Sequence, residues 1–331
     1  MQELIDNFTN QLEEAVAIGE NAKLSNLNAR INHVLISGLG GSGIGGTIVS
    51  QLIAKDCKLP ILVNKDYFVP AYVSENTLAV FSSYSGNTEE TLYALELAEA
   101  KKAQIVCITS GGKLLEIAKN KGYDYIQIPS GYPPRAAFGF SSVQLLYLFH
   151  KYGLISNAFK TQLIASISFL RTEKESIKKE AKTVANQLLG KLPIIYSDAS
   201  FEGVSVRLRQ QINENSKMLC WHHAIPEMNH NELVGWREKN ENLAVIILRN
   251  ETDFDRTQQR IELNKEIINN YTSTIIEIWS KGNSILERAY YLIHLGDWVS
   301  SYLADLKQID STEVKVIDFL KGELAKKYNK N

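Results

Sequence analysis

The sequence predicts an α/β protein built from two doubly wound parallel sheets, and three observations carry that prediction. Apolar, strand-like runs alternate with helical segments through roughly the first 130 residues, and the alternation restarts after residue 190. The runs are continuously apolar rather than alternating, as in Ile105-Val106-Cys107-Ile108. Strands of that kind are buried on both faces, as crossover helices leave a parallel sheet.

The chain opens on Met1-Gln2-Glu3-Leu4-Ile5-Asp6, an acidic amphipathic helix start and not a signal peptide. Strands are predicted at 33–37, 60–64, 76–82, 103–109 and 124–128, with helices at 43–55, 88–101 and 113–120. The turn-forming run Ser130-Gly131-Tyr132-Pro133-Pro134-Arg135 ends this pattern. A long helical region follows over 138–190, with a Lys/Glu-rich stretch at 171–182 that reads as a solvated face. The second half predicts strands at 192–196, 243–248 and 274–279, and helices at 201–215, 255–269, 284–308 and 312–328. Residues 1–152 and 153–331 therefore read as two related subdomains, firmly packed with a cleft between them.

Composition narrows the class. At 331 residues, 44% hydrophobic and 22% charged, the chain is globular and long enough for two domains. A formal net charge of -1 gives no electrostatic case for nucleic acid or an acidic membrane surface. Cys57, Cys107 and Cys220 are scattered without metal or redox spacing, which suggests buried thiols in a reducing, cytoplasmic compartment. No apolar run approaches the roughly 20 residues of a membrane span.

Two loops carry the chemistry. After the third strand comes Ser82-Ser83-Tyr84-Ser85-Gly86-Asn87-Thr88, where the hydroxyls of Ser83, Ser85 and Thr88 can converge. Gly86 permits a tight turn, and the following helix adds partial positive charge at its start. Such a loop suits a phosphate monoester. Upstream, Gly38-Leu39-Gly40-Gly41-Ser42-Gly43-Ile44-Gly45-Gly46 follows the first strand. Gly38, Gly40 and Gly43 satisfy a dinucleotide fingerprint, with Asp66 as a ribose ligand, so NAD is a competing reading. Six glycines in nine residues, the Ser42 hydroxyl and the second cradle nearby favour a single phosphorylated sugar with no cofactor.

Other residues point to acid–base work. Glu214 ends a helix whose apolar face runs through Val204, Leu208 and Ile212, so it projects from a helix-to-loop junction or is simply a solvated helix end. The segment from Trp221 to Trp236 holds His222, His223 and His230 with two carboxylates. Their spacing fits no recognised metal motif, so a titratable His near a Glu is the better reading. Arg135, stiffened by Pro133 and Pro134, could stabilise anionic oxygens or serve a surface ion pair. Lys315 stands at a helix start, where the macrodipole favours an acid.

Together, the glycine-rich loop 38–46, Ser83-x-Ser85-Gly86-x-Thr88, Pro134-Arg135, Asn213-Glu214-Asn215-Ser216-Lys217 and Glu227-x-Asn229-His230-Asn231-Glu232 resemble the sugar isomerase (SIS) superfamily. Within it they are similar to the bifunctional phosphoglucose/phosphomannose isomerases, over about residues 30–325. The resemblance implies two SIS subdomains of flavodoxin-like type and a metal-free aldose–ketose isomerase acting on glucose 6-phosphate and mannose 6-phosphate. It makes Glu214 the base, Arg135 the stabiliser of the enediolate, and His230 the ring-opening group supplied by the other subunit of a homodimer. Gly41, Ser42, Ser83, Ser85 and Thr88 would grip the phosphate, and Lys315 or Lys321 would be the C-terminal lysine. Gln308, seven residues before Lys315, stands where bifunctional relatives carry a smaller hydroxyl residue, with Ser311 or Thr312 as substitutes. The alternatives are a non-catalytic phosphosugar sensor, which would not need Glu214, His230 and Arg135 together, and an SIS isomerase of another sugar phosphate.

Overall fold

Two all-parallel sheets share one helical core in the computed structural model, which describes residues 1–328. In the first half, α1 (Gln2–Asp6) and α2 (Phe8–Asn21) precede β1 (His33–Ser37), α3 (Gly40–Leu52), β2 (Ile61–Asn64) and β3 (Thr77–Ser82). Then come α4 (Glu89–Ala100), β4 (Gln104–Thr109), α5 (Gly112–Lys121), β5 (Asp124–Gln127) and α6 (Phe138–Lys151). The strand order is β2-β1-β3-β4-β5. The second half runs α7 (Ala158–Leu188), β6 (Leu192–Asp198), α8 (Glu202–Ser216), β7 (Trp221–Ile225), β8 (Leu243–Arg249) and α9 (Asp255–Ile268). It closes with β9 (Ile275–Trp279), α10 (Ile285–Leu306) and α11 (Lys315–Tyr328), and its sheet order is β7-β6-β8-β9.

The strands form where continuous apolar runs can be buried on both faces. All six residues of β3 are buried. Val34 and Ile36 of β1 enter the core shared by both halves, while Leu35 between them packs with Phe81 and Cys107 under α4 and α5. The shared core also takes Ile195, Ile246 and Ile278 from the second sheet, with α3, α6, α7, α8 and α10 filling the space between. No helix among the described residues is long and apolar enough to cross a membrane.

Three departures from the sequence reading have physical causes. Strand β7 extends β6 in parallel, yet Trp221-His222-His223 lacks the aliphatic run that marks a strand, so it reads as loop. The predicted helix over 138–190 is two helices, broken where Gly153 turns left-handed at φ 69°. The Lys/Glu-rich stretch 171–182 is not wholly solvated: Ile177 and Ala181 are fully buried, and the Lys178 ammonium lies 4.7 Å from the Trp298 ring centre on α10.

Candidate functional site

Strand order reverses between β1 and β3, and a crevice at the carboxyl ends of the strands is where open α/β sheets hold ligands. Both predicted phosphate loops leave the sheet there, one from β1 into α3 and one from β3 into α4. Close packing explains the glycines: a Cβ on Gly43 would lie 2.3 Å from the Gly38 carbonyl oxygen, and one on Gly46 2.9 Å from Ile36. Ser42 Oγ accepts a 3.0 Å hydrogen bond from the Tyr84 N–H, which ties the two loops together and leaves its own proton free to donate.

In the second loop, Gly86 has φ 69°, and a Cβ there would fall 1.8 Å from the Gly111 carbonyl oxygen. Ser83 Oγ and Thr88 Oγ1 stand 2.8 Å apart, and the Gly86 N–H donates to Ser83 Oγ at 3.2 Å. Ser83 is buried, Thr88 is half-buried, and Ser85 is exposed while accepting from the Asn87 N–H at 3.3 Å. Ser83 and Thr88 thus converge, with Ser85 at the rim.

Arg135 comes to this crevice on the short 3-10 turn Pro134–Ala136, which packs on the glycine-rich loop. Its side chain is nearly fully buried and held by four contacts. Nε donates to Asn215 Oδ1 at 2.7 Å, and one terminal nitrogen donates to the carbonyls of Ser311 and Thr312 at 2.7 and 2.9 Å. The other terminal nitrogen stands 3.5 Å from Glu214 Oε2. Burial draws the guanidinium below its usual range, and Glu214, Asp310 and Glu313 pull it back. An arginine stays charged through such a shift.

Glu214 sits in the last turn of α8, and cations cap that turn. Lys217, left-handed at φ 51°, turns the chain out of the helix, and its Nζ donates to the Glu214 carbonyl at 2.6 Å. Lys307 Nζ donates to the Ser216 carbonyl at 2.7 Å, and both cations oppose the negative end of the helix dipole. The Asn213 side chain donates to the Met218 carbonyl at 2.7 Å and fixes the exit. Burial lowers the Lys217 pKa, which Glu313 partly offsets. The Glu214 carboxylate is 28% exposed, and its contact with Arg135 is at the limit of a hydrogen bond, so it remains available to a ligand.

The remaining sequence candidates are not gathered here within one chain. His230 ends the 3-10 turn Glu227–His230 and is exposed, and its side chain makes no hydrogen bond among the described residues. Lys315 and Lys321 are both exposed on α11. Gln308 is exposed at φ 55°, whereas Ser311 and Thr312 reach Arg135 through their carbonyls. His222 on β7 lies 3.8 Å from Glu202, and its pKa is pushed down to about 4 by burial, Arg209 and His223.

A buried polar network behind Arg135 escaped the sequence reading. Arg207 pairs with Asp297 of α10 at 2.7 Å, and Gln211 donates to the same carboxylate at 2.7 Å. Arg207 also donates to the Arg135 carbonyl at 3.3 Å. Asn215 Nδ2 donates to Ser300 Oγ at 2.9 Å. Removing one partner of a buried ion pair costs about 3–5 kcal/mol, because the other charge is stranded. The signal was present: Arg207, Gln211 and Asn215 fall every four residues on one face of α8, and Asp297 is an acid inside an otherwise apolar stretch of α10.

Residues 177–324 match the bacterial phospho-glucose isomerase C-terminal SIS domain, and residues 29–122 match the SIS domain. The chain is 43% identical to a bifunctional phosphoglucose/phosphomannose isomerase of Caldicellulosiruptor bescii, over 98% of this chain and 99% of that one. It is 36% identical to a protein of the same description from Aquifex aeolicus, over 88% and 90% of the two chains. A D-glucosamine-6-phosphate 4-epimerase of Sulfolobus acidocaldarius is 28% identical over 85% of each chain. Among solved structures, a hypothetical protein from Thermus thermophilus superposes with a TM-score of 0.77 over 98% of this chain and 89% of that one. At 15% identity, that likeness shows the fold alone.

Proposed function

The chain belongs to the bifunctional phosphoglucose/phosphomannose isomerase family, and on that premise we propose that it interconverts glucose 6-phosphate and mannose 6-phosphate with fructose 6-phosphate. It is an aldose–ketose isomerase. The observation that carries the mechanism is the Glu214–Arg135 pair beside two hydroxyl-bearing loops at one switch point.

The reaction needs one carboxylate that takes a proton from C2 and returns it to C1, and Glu214 is the base. Arg135, desolvated and fixed by carbonyls on one side, stabilises the enediolate oxygens as charge develops on them. Gly41, Ser42, Ser83, Ser85 and Thr88 hold the 6-phosphate, so that remote binding fixes the carbon chain over the base. Rotation about the C2–C3 bond presents either face of C2 to Glu214, which admits the mannose epimer.

His230 opens the sugar ring from the other subunit of a homodimer. Two observations support that assembly. The His230 side chain is exposed and unpaired in its own chain among the described residues. Helix α11 leaves Val316, Phe319 and Leu320 at 81%, 70% and 58% exposure, on the same face at i, i+3 and i+4. The C-terminal lysine is Lys315, at the root of that helix. The division into subdomains at 152/153, in the segment between α6 and α7, and a cytoplasmic site with Cys57, Cys107 and Cys220 as free thiols belong to the same proposal.

A coupled assay for glucose 6-phosphate formed from fructose 6-phosphate, repeated with mannose 6-phosphate and with EDTA present, tests the proposal. Metal-independent turnover of both epimers is expected. Turnover of glucose 6-phosphate alone would remove the dual specificity. Binding without turnover would leave a phosphosugar sensor, and conversion of an amino-sugar phosphate alone would move the chain toward the function named for its Sulfolobus relative.

A further inference from the structure

We propose that Asp297 and Ser300 of α10 are positioning residues for Arg135, acting through Arg207 and Asn215; this rests on the role given to Arg135 above. Two branches lead from α10 to the one arginine. In the first, the Asp297 carboxylate accepts from Arg207 at 2.7 and 2.9 Å and from Gln211 at 2.7 Å. The same Arg207 nitrogen reaches the Arg135 carbonyl at 3.3 Å, so this branch holds the backbone of the turn. The Arg207 guanidinium also lies 4.5 Å from the ring centre of Phe138, at the start of α6 just after that turn.

In the second branch, Ser300 Oγ donates to the Asp297 carbonyl at 2.7 Å and accepts from Asn215 Nδ2 at 2.9 Å. Asn215 Oδ1 then accepts the Arg135 Nε–H at 2.7 Å, so this branch holds the side chain. The amide has its oxygen toward Arg135 and its nitrogen toward Ser300, an orientation with both ends satisfied. Both branches end on Asp297, whose carboxylate anchors one and whose carbonyl anchors the other.

Burial makes the arrangement rigid. Arg207, Asp297, Asn215 and Ser300 are all nearly or fully out of solvent. In that setting paired polar groups specify one geometry, and here every member is paired at one atom or more, Arg207 Nε alone among their side-chain atoms being buried without a partner among the described residues. The carboxylate of Glu214 has its ion pair with Arg135 and not with any of these four, and none of them carries a proton in the reaction. Their effect falls on where the guanidinium stands when charge develops on the substrate oxygens, a point at which about 1 Å of misplacement can cost on the order of 10²-fold in rate.

The test compares Asp297→Asn, Ser300→Ala and Arg135→Lys with each single change combined with Arg135→Lys, reading kcat, KM and the melting temperature of the dimer. Asp297→Asn and Ser300→Ala should each lower kcat on the order of 10- to 100-fold with KM moved by less than about threefold. In the Arg135→Lys background neither should lower kcat further, because the guanidinium whose placement they set is gone. A full, multiplicative loss in that background would make the network merely structural and overturn the inference. Unchanged kcat in both single variants, or a loss confined to KM, would overturn it as well. Should Asp297→Asn fail to fold, Ser300→Ala, which removes only a hydroxyl, decides by the same criteria. Wild-type kcat in Arg135→Lys itself would instead overturn the role given to Arg135, which separates the two failures.

Discussion

Gly41 and Pro134 meet backbone to backbone: a Cβ on Gly41 would stand 2.6 Å from the Pro134 carbonyl oxygen and 3.1 Å from the Arg135 nitrogen. The first residues of α3 and the turn that carries Arg135 are therefore a single packed unit. The loop proposed to cradle the phosphate and the cation proposed for the other end of the sugar are set at a fixed separation by contact between main chains, which a side-chain rotamer cannot relax.

Gly41→Ala should for that reason act on both ends of the substrate. Forcing a methyl against backbone carbonyl atoms costs typically about 1–3 kcal/mol of stability. The variant should melt lower than the parent, raise KM for the phosphosugar and lower kcat together. Steady-state kinetics beside a thermal melt checks this, and a fall in melting temperature with kinetics untouched would detach the loop from the chemistry.

Glu214→Gln keeps the shape of the last turn of α8 and removes the proposed proton acceptor. Turnover should drop by about 10²–10⁴-fold or more, the range of general acid–base catalysis. Fructose 6-phosphate binding, measured by calorimetry, should survive, because the hydroxyl loops are untouched. Substantial turnover in this variant would take Glu214 out of the mechanism.

The cross-subunit placement proposed for His230 has its own check. His230→Ala and Glu214→Gln dimers should each be inactive on the closed sugar. Mixed by unfolding and refolding at equal amounts, half of the dimers are hybrids, and each hybrid has one site with both residues intact. About a quarter of parental activity should return. No recovery, with hybrids demonstrated by mass spectrometry, would place His230 and Glu214 in the same subunit.

His222 ties stability to pH. Its folded pKa, about 4, lies below the ordinary 6.5, so the unfolded chain takes up a proton first as the pH falls. The stability this group contributes is present above pH 6.5 and is lost between there and about pH 4. His294, buried on α10 and pushed down to about 3, acts in the same direction and stays in the variant. His222→Gln should therefore lose less melting temperature between about pH 7 and about pH 5 than the parent does, without becoming flat. Equal slopes in the two proteins would mean that His222 is protonated alike in the folded and unfolded chains.

The sheets were legible because burial on both faces demands continuous apolar runs, and β1, β3, β4 and β8 supply them within a residue of the observed ends. Strand β7 was not, because its Trp and His residues make an edge strand by pairing with β6 and not by hydrophobicity. Helix α3 begins three residues earlier than its apolar pattern, since glycines that would weaken an isolated helix are here required by contacts with Gly38, Pro134 and Ile36. The polar spacing of Arg207, Gln211 and Asn215 is visible in the chain, but nothing local says that it faces Asp297 and Ser300, 85 to 90 residues later.

The two parallel sheets, the two glycine- and hydroxyl-bearing loops and the helix-end carboxylate can be read from the chain alone, because each depends on local pattern: strand burial, glycine freedom and helix termination. That Arg135 turns inward to Glu214 and Asn215, while His230 and Lys315 stay exposed on the same chain, is set by long-range contacts. Those outcomes depend on which distant carbonyls and amides can satisfy a buried charge. That matching is made by contacts between elements far apart in the chain, and no periodicity within one element records it.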